Sequence, residues 1–182
     1  MNREQALVLV EEYTKNVNLR RHMLAVEAAI RTYARKFGED EDLWGVTGLL
    51  HDFDYETYPD EHPARGVRIL EEQGCSEEIV YAIKSHADYL GIERIHPLDK
   101  TLFAVDDLTG FIVAVALVMP NKSLHEVTVA SVKKKLRSKG FARNVDREEL
   151  HTGAEALGVP LDDHIETVLR AMQGIADELG LA

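Results

Sequence analysis

Apolar residues recur along this chain at three- and four-residue spacing, the period of helices buried on one face. Two-residue alternation is absent over any useful length. Arg3 to Tyr13 reads as a short amphipathic helix with Leu7 and Val10 on one side. Asn18 is placed to cap a second helix, Leu19 to Phe37, with Met23, Val26 and Ile30 inward and Gly38 as its stop. Leu43, Val46, Leu49 and Leu50 carry a third, Glu41 to His51, with Trp44 in the core. The stretch FDYETYPDEHP reads as a loop, after which Pro63 opens a helix from Ala64 to Gln73 and Gly74 ends it. Ser76 and two glutamates start another to about His86. Pro97 and Pro120 bracket the most apolar helix, which runs through Met119. Val127 to Ser138, Asp146 to Leu157 with Asp146 and Glu149 as a capping box, and a last helix from Leu161 to near Leu179 complete the series. The expected fold is all-α: one domain over residues 1–182, a compact multi-helix bundle. Its core covers about 20–115, and a C-terminal helical extension covers about 120–182. No repeat or low-complexity linker divides it.

Composition narrows this picture. At 182 residues and 45% hydrophobic, the chain suits a single core. The window from Leu102 to Met119 is long enough to raise a membrane span, but Asp106 and Asp107 interrupt it. A carboxylate near a bilayer centre costs about 2.5–3.5 kcal/mol, so the window reads as a buried helix whose acids need a partner. With 21 basic residues against 32 acids, the net charge of −11 disfavours general nucleic-acid binding. A small anionic substrate held by a locally positive pocket remains compatible. The single Cys75 excludes an intramolecular disulfide and a multi-cysteine zinc site, and fits a reducing cytosol. The start MNREQALVLVEEY has acids inside its apolar run and no small-residue cleavage site, unlike a signal peptide. A cytoplasmic location without membrane association is expected, and self-association stays open.

The chemistry concentrates on histidine and aspartate. His51-Asp52 closes a buried helix, which would hold an imidazole and a carboxylate near one point. His22, on the preceding helix, is within reach of that point. Asp106 lies mid-way along the apolar helix, where an unpaired carboxylate is strongly disfavoured and a bound cation removes the difficulty. Two imidazoles and two carboxylates suit Mn, Fe, Ni, Zn or Mg rather than Cu(I). His62, before Pro63, and His86, in KSHAD, extend the set. Six ligands exceed one tetrahedral ion and match two ions sharing a bridging carboxylate, which would be Asp52.

The ordered series His22, His51-Asp52, His62, His86 and Asp106 resembles the HD-domain superfamily of metal-dependent phosphohydrolases. HDFDYETYPDEHPARGVRIL is similar to the segment after the HD dipeptide, with His62 and Gly66 opening the next helix, and VDDLTGFIVA to the stretch carrying the final aspartate. The resemblance covers roughly residues 20 to 115. It implies an all-helical hydrolase of phosphate esters, mostly nucleotides or nucleotide-derived signals. By motif position His22, His51, Asp52 and Asp106 would be the principal ligands of one or two divalent ions, with His62 and His86 completing a second site. Phe53-Asp54 follows the dipeptide where the HDIG variant has Ile-Gly, and no Gly-Tyr-Pro signature points to the cyclic-dinucleotide branch. A divalent ion lowers the pKa of its water to about 7, supplying hydroxide at neutral pH. Asp52 would hold the ions that activate it. Asp54 would orient that water or protonate the leaving oxygen, or else cap its loop.

The run KKKLRSKGFAR, residues 133–143, carries six positive charges in eleven positions. Either Lys135, Arg137 or Arg143 leans over the metal cleft and holds a substrate phosphate, or the run is a solvated helix end. His96 suits a helix start, while His125, His151 and His164 fall in polar segments and read as surface residues. Asp107 points about 100° from Asp106 on a helix and reads as solvent-facing or salt-bridged. Tyr55 and Tyr58 line the pocket mouth or pack on the core. The expected activity is metal-dependent hydrolysis of a small phosphorylated compound by a phosphomonoesterase or phosphodiesterase. Its rival is a regulatory module that binds metal or ligand without turnover. A purely structural adaptor conflicts with burying Asp106.

Overall fold

The computed structural model describes residues 1–182 and contains ten α-helices and no β-strand. Helices α1 (Arg3–Tyr13), α2 (Val17–Phe37), α3 (Glu41–Leu50), α4 (Ala64–Glu72) and α5 (Glu77–His86) precede the long α6 (Pro97–Leu117). Helices α7 (Val129–Leu136), α8 (Arg147–Ala156), α9 (Leu161–Gln173) and α10 (Ala176–Leu179) follow it. No helix is long and apolar enough to cross a membrane.

Local chemistry sets the boundaries, with three departures from the pattern read above. Asn16, not Asn18, caps α2, its side chain accepting from the Asn18 and Leu19 amides. Asp146 caps α8 by accepting from Glu148 N, but Glu149 does not complete a capping box; its carboxyl turns toward Asp88 and Asp107 instead. The last helical stretch breaks after Gln173, and α10 begins at Ala176. Gly38 ends α2 at φ 74°, a left-handed conformation that glycine adopts without strain.

Two apolar clusters form the core. One joins α1, α3, α4 and α5 through Leu9, Leu49, Leu50, Phe53, Leu70 and Ile83. The other wraps α6 with α2 and the C-terminal helices through Ile30, Tyr33, Leu108, Phe111, Val168 and Met172. Helix α2 serves both, since Met23 belongs to the first and Val26 to the second. The close approach of α2 and α3 depends on Gly48, where a Cβ would lie 3.1 Å from the Glu27 backbone and 2.9 Å from Ile30. That approach fixes how near His22 stands to His51.

His164 is a correction to the surface assignment. It is fully buried on α9, with Nδ1 2.6 Å from the Tyr33 hydroxyl of α2 and Nε2 2.9 Å from the Ala104 carbonyl of α6. A polar sequence neighbourhood concealed this, because its neighbours Asp162 and Asp163 face outward while position 164 faces the core. The residue ties the C-terminal helices to α2 and α6.

Candidate metal centre

The six histidines and aspartates of the motif come from five separate places in the chain. His22 projects from the second turn of α2, and His51 and Asp52 follow the last residue of α3. His62 precedes α4, His86 ends α5, and Asp106 lies near the middle of α6. The structure brings all six together in the seam between the two apolar clusters.

Asp52 stands at their centre. Its Oδ1 is 3.3 Å from His62 Nε2 and 3.5 Å from His86 Nε2. Its Oδ2 is 3.5 Å from His51 Nε2 and 3.8 Å from His22 Nε2. Asp106 Oδ1 adjoins the second pair, 2.9 Å from His22 Nε2 and 3.4 Å from His51 Nε2. Donor atoms of His22, His51 and Asp52, and separately of Asp52, His62 and His86, all lie within 4.8 Å of one another. Each trio can therefore hold one ion, with Asp52 common to both.

The outward face of each ring decides what the inward nitrogen can do. His51 Nδ1 lies 2.8 Å from Gly48 O, and His86 Nδ1 lies 2.5 Å from Ile83 O. His62 Nδ1 is 2.7 Å from Asp54 Oδ1, and His22 Nδ1 is 3.4 Å from Thr109 Oγ1, whose own proton goes to Asp106 O. Each of these acceptors takes the Nδ1 proton, leaving the Nε2 lone pairs directed inward. His22 Nε2 and His51 Nε2 stand 3.2 Å apart. Two lone pairs at that distance repel unless a proton or a cation lies between them. Neutral imidazole and carboxylate donors in this geometry fit divalent cations.

Electrostatics without an ion point the same way. Burial works against a charged His51, but the Asp52 and Asp106 carboxylates outweigh it and hold its pKa up to about 9. Burial pushes Asp52 and Asp106 upward, and the neighbouring imidazoles overcome it, keeping both well below the usual carboxylate range. Cationic charge is thus strongly favoured at the centre, as protons or as metal.

Asp54 does not occupy the cleft. It is buried, with Oδ1 on His62 Nδ1 and Oδ2 accepting from Gly66 N at 2.6 Å. Both oxygens are engaged with His62 and α4, so of the roles read above its contacts favour the cap: it satisfies the first turn of α4 and orients His62. Gly66 is required there, because a Cβ would lie 2.6 Å from the Asp54 carboxyl carbon.

Of the two readings of the basic run, its contacts favour the solvated helix end. Lys135 Nζ sits over the Phe141 ring at 4.8 Å, while Arg137 and Arg143 border an open cavity that shares no residue with the histidine cluster. Arg147, outside the run, donates to the carbonyls of Phe141, Ala142 and Val145 and so fastens this loop. Asp107 is neither salt-bridged nor free: burial and the Asp106 carboxylate raise its pKa, against a hydrogen bond with Glu149 that lowers it. Tyr55 packs edge-on against His62 with ring centroids 5.2 Å apart, whereas Tyr58 packs on Tyr13. His96 caps α6, and His125 and His151 are exposed. Thr109 and Arg21 escaped the sequence reading. Thr109 stands one turn beyond Asp106, a position that helical geometry marks as its neighbour, whereas Arg21 points about 100° away from His22 and carries no such signal.

The family model of the HD domain matches residues 19–110. The chain belongs to the HD-domain family, whose members form a superfamily of metal-dependent phosphohydrolases and bind divalent metals. No curated protein and no solved structure matches the chain.

Proposed function

We propose that this chain hydrolyses a small phosphate ester, of the nucleotide or a related class, using divalent metal held by His22, His51, Asp52, His62, His86 and Asp106. The observation that carries the reading is the Asp52 carboxylate with one oxygen toward each histidine pair, 3.3 to 3.8 Å from four inward-facing Nε2 atoms. Bound divalent ions at such a site activate water and neutralise phosphoryl oxygens. The chain's own contribution is positional. Carbonyls of Gly48 and Ile83, the Asp54 carboxylate and the Thr109 hydroxyl hold each Nδ1. The apolar seam excludes water from behind, since His51, His62 and His86 side chains are at most 8% exposed. Substrate approaches from the side of His22 and Asp106, which stay 24% and 25% exposed. The reading treats residues 1–182 as one working unit, with the C-terminal helices buttressing α2 and α6 in the cytoplasm.

The test is phosphate release from a generic ester by protein supplied with Mn²⁺, alongside elemental analysis. His51→Ala combined with Asp52→Ala should lose both bound metal and release. Native levels of either in the double variant overturn the assignment. Tight metal binding by the wild type with no release under any common divalent ion would favour a regulatory module.

A further inference from the structure

A cavity of about 290 Å³ opens beside His22, and nothing in the cluster's chemistry uses it. Val113 and Leu117 of α6 and Leu179 and Leu181 near the chain end make its walls largely apolar, while Arg21 and His22 of α2 supply the polar edge. It therefore shares His22 with the metal centre and lies on the more exposed side of that centre.

Two glycines shape it. Gly110 sits inside α6, where glycine is unfavourable relative to alanine. A Cβ at that position would meet no atom within 4 Å, so packing does not demand the glycine; the missing side chain keeps the cavity open. Gly180, in a left-handed turn at φ 68°, leaves the space that the Arg21 guanidinium fills. Arg21 takes part in no ion pair, although the chain carries 32 acids. A guanidinium in no ion pair, at the rim of an apolar hollow that also takes in the ligand His22, matches a ligand with an anionic head and an apolar body.

We infer that this cavity selects phosphate esters of apolar alcohols, alkyl or aryl, with Arg21 pairing to the phosphate and the alcohol's apolar group lying against Gly110, Val113 and Leu117. The inference rests on the hydrolase reading and, in place of its nucleotide class, names esters whose alcohol is apolar. It also explains why the cations of residues 133–143 are not needed at the cleft.

The experiment compares methylphosphonate with hexylphosphonate, titrated calorimetrically into Mn²⁺-loaded protein. Each buried methylene contributes about fourfold in affinity, so the wild type should favour the hexyl probe by about fiftyfold when only part of its chain is covered. Gly110→Leu, which fills the cavity, should reduce that preference to about threefold or less. Leu117→Glu, at a position already half exposed, should do the same and stands in if the glycine variant does not fold. Arg21→Gln should weaken both probes by about tenfold and keep the preference. A wild type indifferent to chain length, or a preference surviving both Gly110→Leu and Leu117→Glu, overturns the cavity's role. Release of phosphate from methyl and hexyl phosphates at equal kcat/KM would overturn it while leaving the hydrolase reading intact. Failure to bind either phosphonate or to cleave either ester would bring down both.

Discussion

His51 and His164 are both wholly buried, yet their surroundings assign them opposite work. His164 is satisfied on both nitrogens: Nε2 donates to the Ala104 carbonyl and Nδ1 accepts from the Tyr33 hydroxyl. Burial holds its pKa below the ordinary value. His51 is satisfied on one nitrogen only, and its Nε2 faces another imidazole and two carboxylates. There the carboxylates outweigh burial and lift the pKa to about 9. Burial does not separate a structural histidine from a ligand. The distinction lies in whether the second nitrogen has a neutral partner or a concentration of negative charge.

Replacing each histidine by leucine breaks the comparison most directly. His51→Leu should cost about a thousandfold or more in kcat/KM, equivalent to about 4 kcal/mol of transition-state stabilisation, with metal lost and the fold kept. Phosphate release, elemental analysis and circular dichroism check the three parts. His164→Leu should instead lower stability by about 3 kcal/mol, because the Tyr33 hydroxyl and the Ala104 carbonyl lose their partner inside the core. Denaturant unfolding measures that, and kcat/KM per folded molecule should hold. Were His164→Leu to unbind metal at full stability, the contrast between the two sites would be mistaken.

Asp54→Asn is a smaller perturbation of the ligand side. The amide can still accept from Gly66 N, but its NH₂ would meet His62 Nδ1 and drive the proton to Nε2. Metal affinity should fall by about 10- to 100-fold, read by competition with a chelator. Unchanged affinity would mean that Asp54 merely caps α4.

The pH dependence sharpens the structural side. His164 has a folded pKa below its unfolded value of about 6.5, so the unfolded chain binds more protons in that range. Its contribution is present above about pH 6.5 and is lost progressively as pH falls toward the folded value. Wild-type stability should therefore decline more steeply below pH 6.5 than that of His164→Leu, measured as denaturant midpoints across pH 7 to 5. Equal slopes would refute a neutral buried His164.

The smallest effects belong to the basic run. Lys135→Ala and Arg143→Ala should each change stability by about 0.5 kcal/mol or less and leave KM for a phosphate ester within about twofold. A larger KM change would bring these cations back to the cleft.

Helical periodicity, proline and glycine punctuation and the order of histidines and aspartates were enough to reveal an all-α chain and the six-residue cluster, because these signals are local or ordered along the chain. Trp44, Leu49 and Leu102 could be assigned to the core for the same reason: apolar residues at helical spacing have one face to bury. Direction was another matter. That Asp54 turns behind His62, that Lys135 lies on Phe141, and that Glu149 meets Asp107 depend on which helices pack together, and residue type does not carry that information. The role of His164 required α9 to be laid across α2 and α6, contacts 131 and 60 residues distant in the chain. Chemistry at a site is written in residue types, but whether a given nitrogen, oxygen or guanidinium reaches it is settled by long-range packing of helices whose own sequences do not encode their neighbours.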